Sequence, residues 1–265
     1  MTPRFWDTMM LRDELDMLHV RLAEAENWPV YRHVIVEARQ NHRGDPKPLH
    51  YAENRERFAP WADRIIHVAA DFPDLPGSCP ECGRDGVAWA REHYQRNRIW
   101  KALEEAGAED GDAVNLADVD EFPPAGAFTE EPAPVLAHNQ RLMMYAVDWE
   151  HARQSPTLCS VTTRYGWAKG RDATAIRDTR NHWRQVTGGF HLTWLGGVEG
   201  QRAKLSATCH TEMTSEEYDR IWSGACYERG AHHSGEHQML PVDVDETWPR
   251  SIYERNCPPE WFRPR

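Results

Sequence analysis

Long apolar runs are missing from this sequence. No window approaches the roughly 18 uninterrupted apolar residues that a membrane-spanning helix requires, and Met1-Thr2-Pro3-Arg4-Phe5-Trp6-Asp7 holds no apolar leader core. A soluble, cytoplasmic protein with no membrane association is the expectation. Positive charge is also scarce: 31 Lys and Arg stand against 42 Asp and Glu, a formal charge of −11. Duplex nucleic acid needs clustered cations to neutralise its phosphates, so it is not expected as a partner. Cysteine is sparse, with six in 265 residues, which reads as reduced thiols rather than a disulfide framework. One CxxC pair, Cys79 and Cys82, has no second pair to close a four-ligand zinc site. It would hold a structural Zn²⁺ only if Cys257, His93 or His67 folded back onto it. His232, His233, Glu236 and His237 lack the HExxH spacing of a zinc hydrolase.

What is present is an alternation of helical and extended periods. Leu15, Leu18, Leu22 and Ala25 recur at helical spacing over residues 13 to 26. His33-Val34-Ile35-Val36-Glu37 and Arg64-Ile65-Ile66-His67-Val68-Ala69 are β-branched strands. Residues 71 to 86 form a Pro/Gly/Cys loop insertion, and residues 88 to 106 a helix with Trp89, Arg96, Trp100 and Leu103 on one face. Arg141 to Val147 and the glycine-bracketed Gly188 to Gly197 are expected strands, and Val198 to Ala207 a short helix. Residues 155 to 187 carry no clear pattern. This rhythm predicts an α/β fold: a single domain built on a Rossmann-type, mostly parallel twisted sheet flanked by helices.

The chemistry concentrates at Asp118-Val119-Asp120-Glu121, which follows the apolar run Ala113 to Ala117 and stops at Pro123-Pro124. Side chains repeat every two residues along a strand, so Asp118 and Asp120 converge on one point if the chain is still extended. Paired carboxylates suit Mg²⁺ or Mn²⁺, which keep positions open for phosphate oxygens. A metal-diphosphate site at the carboxyl end of a strand follows. Arg96 cannot shed its proton, so burial among tryptophans demands a carboxylate or a phosphate: the acidic cluster, another internal Asp, or a bound diphosphate. Glu37, at a strand end, is equally a nucleotide contact or a salt-bridge partner. The same four letters recur at Asp243-Val244-Asp245-Glu246, with only Met239 and Leu240 as an apolar lead, and read there as a solvated loop.

In order along the chain, Glu14 to Leu22, Val34 to Ala38, Lys47-Pro48-Leu49 with Glu53-Asn54 and Arg57-Phe58, Gln95-Arg96-Asn97, Asp118 to Pro123, Gly188 to His191, and His210-Thr211-Glu212 resemble glycosyltransferase family 17, the family of β-1,4-mannosyl-glycoprotein N-acetylglucosaminyltransferases. The resemblance implies a GT-A-like fold, a UDP-sugar donor such as UDP-N-acetylglucosamine, a divalent metal, and inversion at the anomeric carbon. Residues 1–122 would form the nucleotide-sugar-binding half and residues 123–265 the acceptor half. Glu37, Lys47, Arg96, Asn97 and Asp118 would bind donor, and Asp118 and Asp120, with His191 or His210, would bind metal. Inversion needs one base on the acceptor hydroxyl, for which Glu199 and then Glu212 are the expectations. A glycan, a protein or another hydroxyl compound would be the acceptor. The rivals are a catalytically silent glycan-binding or structural module and a nucleotidyltransferase.

Overall fold

The computed structural model describes residues 3–77, 86–210 and 213–264. The CxxC pair and Glu212 lie outside these residues. The strands are β1 (Phe5–Leu11), β2 (Val30–Ala38), β3 (Ile65–Ala70), β4 (Ala113–Asp118), β5 (Glu121–Phe122), β6 (Val135–Met144), β7 (Trp149–His151), β8 (Thr157–Arg164), β9 (Arg184–Thr193) and β10 (Met239–Pro241). They form one mixed sheet in the order β10-β7-β6-β8-β4-β1-β2-β3, with β9 beside β6 and β5. The longest registers are parallel: β1 with β2 and β4, β2 with β3, and β6 with β9. A single α/β domain with a mostly parallel sheet is therefore observed, as expected.

Helix Leu15–Glu24 joins β1 to β2, and helix Val87–Glu105 carries the chain from β3 back across the sheet to β4. The winding direction thus reverses between β1 and β4. In open α/β sheets this reversal leaves a crevice at the carboxyl ends of the two strands, and here those ends are Leu11 and Asp118.

Strand periodicity sorts the core into two layers. Trp6, Val34, Val36, Val114 and Leu116 pack with Ile99 and Leu103 of the long helix. Met9, Leu11 and Ile35 face the other way, against Leu18 and Leu22 of the first helix. Asp118 shares the parity of Leu116, so it emerges on the side of the long helix that carries Arg96.

Several strands differ from the sequence reading, among them β8, which lies wholly within the stretch from 155 to 187 that carries no clear pattern. β1 was not anticipated, because Asp7 and Thr8 interrupt its apolar character, yet both are fully buried. β6 begins at Val135 and ends at Met144 rather than running from Arg141 to Val147, and Tyr145 turns the chain with φ 73°. Its polar residues disguised it: the His138 ring nitrogens lie 2.8 Å from Ser160 Oγ and 2.9 Å from Thr162 Oγ1, both on β8. β9 starts at Arg184, four residues before the predicted strand. The second acidic tetrapeptide is a loop with Asp243, Asp245 and Glu246 exposed, as expected.

Candidate active site

A cavity of about 490 Å³ opens at the β1/β4 reversal. Asp118, the last residue of β4, is held from two sides. Arg96 Nη2 lies 3.0 Å from Oδ1, and Arg177 Nη2 lies 3.3 Å from Oδ2. Burial pushes the Asp118 carboxyl up, but Arg177 and Arg96 outweigh it and hold the group well below the usual carboxylate range. Arg96 also pairs with Glu92 one helical turn earlier. Of the alternatives for Arg96, the acidic cluster is the partner realised within the chain.

Asp120 is buried, and different neighbours neutralise it. Lys204 Nζ donates to Oδ2 at 3.2 Å and also to Thr193 Oγ1 at 2.8 Å. His191 Nε2 lies 3.7 Å from Asp120 Oδ1. Burial raises the Asp120 pKa, while Lys204 and His191 lower it further, so the carboxylate stays ionised. Glu121 bends back: Oε2 accepts the Asp118 N–H at 2.8 Å and Oε1 accepts Arg177 Nη2 at 2.7 Å. Glu121, Cys159 and His191 bring ligand atoms within 4.8 Å of one another. The Cys159 thiol lies 3.3 Å from His191 Nδ1, and burial pushes its pKa well up, which keeps it protonated.

β9 delivers His191 because it pairs with β5, where Glu121 faces His191 and Phe122 faces Phe190. Gly189 permits that pairing. A Cβ there would sit 2.2 Å from the Phe122 carbonyl oxygen, and its φ of +69° suits glycine. Arg177 comes from helix Ala173–Asp178, whose N-cap Asp172 accepts the Ala175 N–H at 2.6 Å.

Asp118, Asp120, Arg96, His191, Lys47 and His210 all line the cavity. Lys47 Nζ donates to the Arg12 carbonyl at 2.8 Å, and the His210 ring stands edge-on to Trp89 with centroids 5.0 Å apart. Three expected residues lie elsewhere. Glu37, near the end of β2, is fully buried: Oε1 accepts the Tyr51 N–H at 3.0 Å and Oε2 lies 2.9 Å from His67 Nε2. It organises the fold beside the cavity rather than lining it. Asn97 bonds Asp172 and the Ala173 N–H, tying the long helix to the helix that carries Arg177. Glu199 is 84% exposed and paired with Arg202 at 2.7 Å, so it does not reach the cavity.

Arg177, Arg180, Lys204 and Cys159 line the cavity without having been anticipated. Lys204 has a local signal, since a lysine on a helix that follows a glycine turn faces either solvent or a site. Arg177 has only its capped helix start, Asp172-Ala173.

The model of glycosyltransferase family 17 matches residues 1–172, well over half of the chain. Arg177, His191, Lys204 and His210 fall beyond the matched part. No curated relative matches the sequence. Among solved structures, the chain is similar to the mannosyltransferase PcManGT from Pyrobaculum calidifontis in complex with GDP-Man and Mn²⁺, at 10% identity and a TM-score of 0.42, covering 85% of this chain and 69% of that one. It is also similar to S. aureus TarS 1-349, at 11% identity and a TM-score of 0.38, over 84% and 71% of the two chains. M. tuberculosis glucosyl-3-phosphoglycerate synthase matches at 10% identity and a TM-score of 0.38, over 95% and 92%. At these values none of the three carries an assignment of residues or ligands.

Proposed function

Because the chain belongs to glycosyltransferase family 17, we propose that it moves a sugar from a nucleotide-diphosphate donor, of the UDP-N-acetylglucosamine kind, to an acceptor hydroxyl with inversion at the anomeric carbon. The observation that carries this reading is the convergence of Arg96, Arg177 and Lys204 on Asp118 and Asp120 at the strand reversal. When the glycosidic bond to the donor breaks, negative charge grows on the departing diphosphate. Fixed cations already in place stabilise that charge without reorganising. Among the described residues, Nη1 of Arg96 and Nη1 of Arg177 are buried with no hydrogen-bond partner. Such donors gain most from an anionic ligand.

The donor set also fits a divalent cation. Asp120 Oδ1 and His191 Nε2, 3.7 Å apart, are oxygen and imidazole ligands of the kind Mn²⁺ accepts, and the Asp118 carboxylate is ionised beside them. Bound there, Mn²⁺ or Mg²⁺ would supply Lewis-acid neutralisation of the diphosphate. Lys204 on the other oxygen of Asp120 holds that carboxylate in one orientation. Lys47 and Arg96 would serve the donor from residues 1–122, the nucleotide half of this reading, while residues 123–265 contribute Arg177 and Lys204 to the cations that close over the diphosphate. The base on the acceptor hydroxyl is assigned to Glu212, two residues beyond the cavity-lining His210, in place of the exposed Glu199.

The test is a panel of nucleotide sugars with Mn²⁺, read as nucleoside diphosphate release and as product anomeric configuration by NMR. Turnover by wild type, a loss of about 10²–10³-fold in Asp120→Asn and in Arg177→Gln, and an inverted product are expected. Absence of turnover, together with no thermal shift from any nucleoside diphosphate, would sink the proposal. Pyrophosphate release from a nucleoside triphosphate would instead favour the nucleotidyltransferase.

A further inference from the structure

Far along the sheet from β3, the edge pair β7 and β10 brings three histidines together. His151 ends β7 and pairs in register with Met239 of β10. His232 and His237 bracket the turn before β10, a turn closed by the Ala231–Gln238 bridge. Their potential ligand atoms all lie within 4.8 Å of one another, and none of the three lines the cavity described above. The rings of His232 and His237 stack at 4.4 Å with a 15° interplanar angle, while His151 meets both at steep angles.

The outer nitrogens of His151 and His232 cap local turns, at Arg153 and Gln154 and at Ser234, but among the described residues the cluster leaves one buried proton without a partner. The Nε2 atoms of His151 and His237 are 3.0 Å apart and share one proton. His151 Nδ1 faces the N–H groups of Arg153 at 3.3 Å and Gln154 at 3.1 Å, so that proton sits on His151 Nε2. His237 must then carry its own proton on Nδ1, which is buried with no partner. Orphaned buried donors are costly. Burial and the neighbouring imidazoles also push the pKa of His151 down to about 4 and that of His232 to about 3, which keeps these two rings neutral. Neutral imidazole is the form that binds metal.

We propose that His151, His232 and His237 form a binding site for one zinc-class divalent cation, a site separate from the carboxylate site of the cavity. Three imidazole nitrogens suit Zn²⁺, with water in the remaining position, and suit Mn²⁺ or Mg²⁺ poorly. On binding, the cation takes the place of the proton shared by His151 and His237. That proton moves to His151 Nδ1, and the contacts from Arg153 and Gln154 open. His232, whose Nδ1 accepts the Ser234 N–H at 3.2 Å, ligates through Nε2 by shifting its proton to Nδ1, toward Ser234 Oγ at 2.7 Å, so no net proton is released. The cation would clamp the 231–238 turn to β7.

The experiment uses tag-free full-length chain in a Cys79→Ser/Cys82→Ser background, which removes the other pair that could take zinc. Zn²⁺ content and Co²⁺ d–d absorption are measured for this protein and for His237→Ala and Asp120→Asn made in it. One cation per chain is expected, lost in His237→Ala and kept in Asp120→Asn. Zn²⁺ at about a hundred times its Kd should raise Tm by roughly 5–10 °C, reversibly with chelator and not in His237→Ala. If His237→Ala fails to fold, His237→Cys decides: a thiolate-to-Co²⁺ charge-transfer band supports the site, and Co²⁺ absorption without that band overturns it. Failure of the parent protein to bind Zn²⁺ or Co²⁺ at micromolar concentration, or retention of the ion by folded His237→Ala, also overturns it. None of these readouts depends on glycosyl transfer.

Discussion

Arg21 and Asp7 meet in a two-pronged ion pair with no solvent exposure, Nη2 to Oδ1 at 2.7 Å and Nε to Oδ2 at 3.0 Å. Asn115 Nδ2 donates to the same carboxylate at 2.8 Å, and His33 Nδ1 lies 3.1 Å from it. The remaining arm of Arg21 reaches the backbone of the acidic loop: Nη1 donates to the carbonyls of Glu121 at 2.5 Å, Asp118 at 3.3 Å and Val119 at 3.4 Å. A buried charge on β1 therefore sets, through the first helix, where the backbone of Asp118 to Glu121 lies. Arg21 is a positioning residue, remote from any reacting atom.

Two substitutions separate its structural and functional parts. Arg21→Met strands Asp7 as a buried unpaired charge and should cost about 3–5 kcal/mol in stability. Arg21→Lys keeps the charge but cannot span both Asp7 and the loop carbonyls. It should lose less stability, about 1–3 kcal/mol, yet lower kcat/KM by up to about a hundredfold through a displaced loop. Urea denaturation and steady-state kinetics on both variants decide the matter. A Lys variant with wild-type kinetics would mean that the carbonyl contacts do not matter to the site.

Asp112 gives a pH prediction away from the site. It accepts Arg4 Nη2 at 2.7 Å, Arg4 Nε at 3.0 Å, Trp6 Nε1 at 2.9 Å, and the N–H groups of Arg4 at 2.9 Å and Glu109 at 3.0 Å. Burial raises its pKa, but these donors outweigh burial and lower it. A depressed folded pKa stabilises fully above the unfolded value, about 3.9, and the contribution fades as pH falls through the folded one. Asp112→Asn should therefore cost about 1.5–3 kcal/mol at pH 7, with a gap to wild type that narrows as pH falls below about 4. A gap constant with pH would show that the carboxylate charge is not what stabilises there.

The parts of the molecule that could be read from the sequence are those whose side chains obey one period. β2, β3 and the long helix have apolar faces at regular spacing, Asp118 follows from a strand end and Arg96 from a helix face, whereas Asp120 lies past the end of β4 in the turn before β5 rather than on an extended chain. β1, β6 and β8 could not be read this way, because they bury Asp7, His138, Gln140, Ser160 and Thr162; the last four pair with one another across β6 and β8, and Asp7 pairs with Arg21, His33 and Asn115. Such pairing depends on neighbours that no local window contains. The same holds for Arg177 and Lys204, which reach the acids from segments 59 and 84 residues away. Glu199 was misplaced for a simpler reason. It stands five residues before Lys204, about 140° around the helix, so the turn that aims Lys204 at Asp120 points Glu199 into water.

That rotation makes Glu199→Gln an informative silent variant. Among the described residues it pairs with Arg202 on the same helix face, and exposed pairs contribute about 0–1 kcal/mol. Stability and kcat should both stay at wild-type values, while Glu212→Gln should lower kcat by about 10²–10⁴-fold without a comparable rise in KM. Transfer assays with saturating donor measure both. Loss of kcat in Glu199→Gln alone would return the base assignment to the helix.

Gly189→Ala tests whether the meeting of β5 and β9 builds the site. The added methyl would come within 2.2 Å of the Phe122 oxygen and 2.8 Å of the Pro123 carbonyl carbon, at a φ of +69°. Backbone atoms of a paired strand cannot swing aside as a flexible side chain would, so β9 must shift. A cost of about 1–3 kcal/mol follows from overpacking, with backbone strain in addition. Because His191 faces Glu121 only through this pairing, the shift should also separate His191 from Asp120. Mn²⁺ affinity, measured by calorimetry with a nucleoside diphosphate present, should then fall by at least about tenfold in the folded fraction. A Gly189→Ala protein that is destabilised but binds Mn²⁺ as tightly as wild type would remove His191 from the metal site and leave the carboxylates to hold the ion alone.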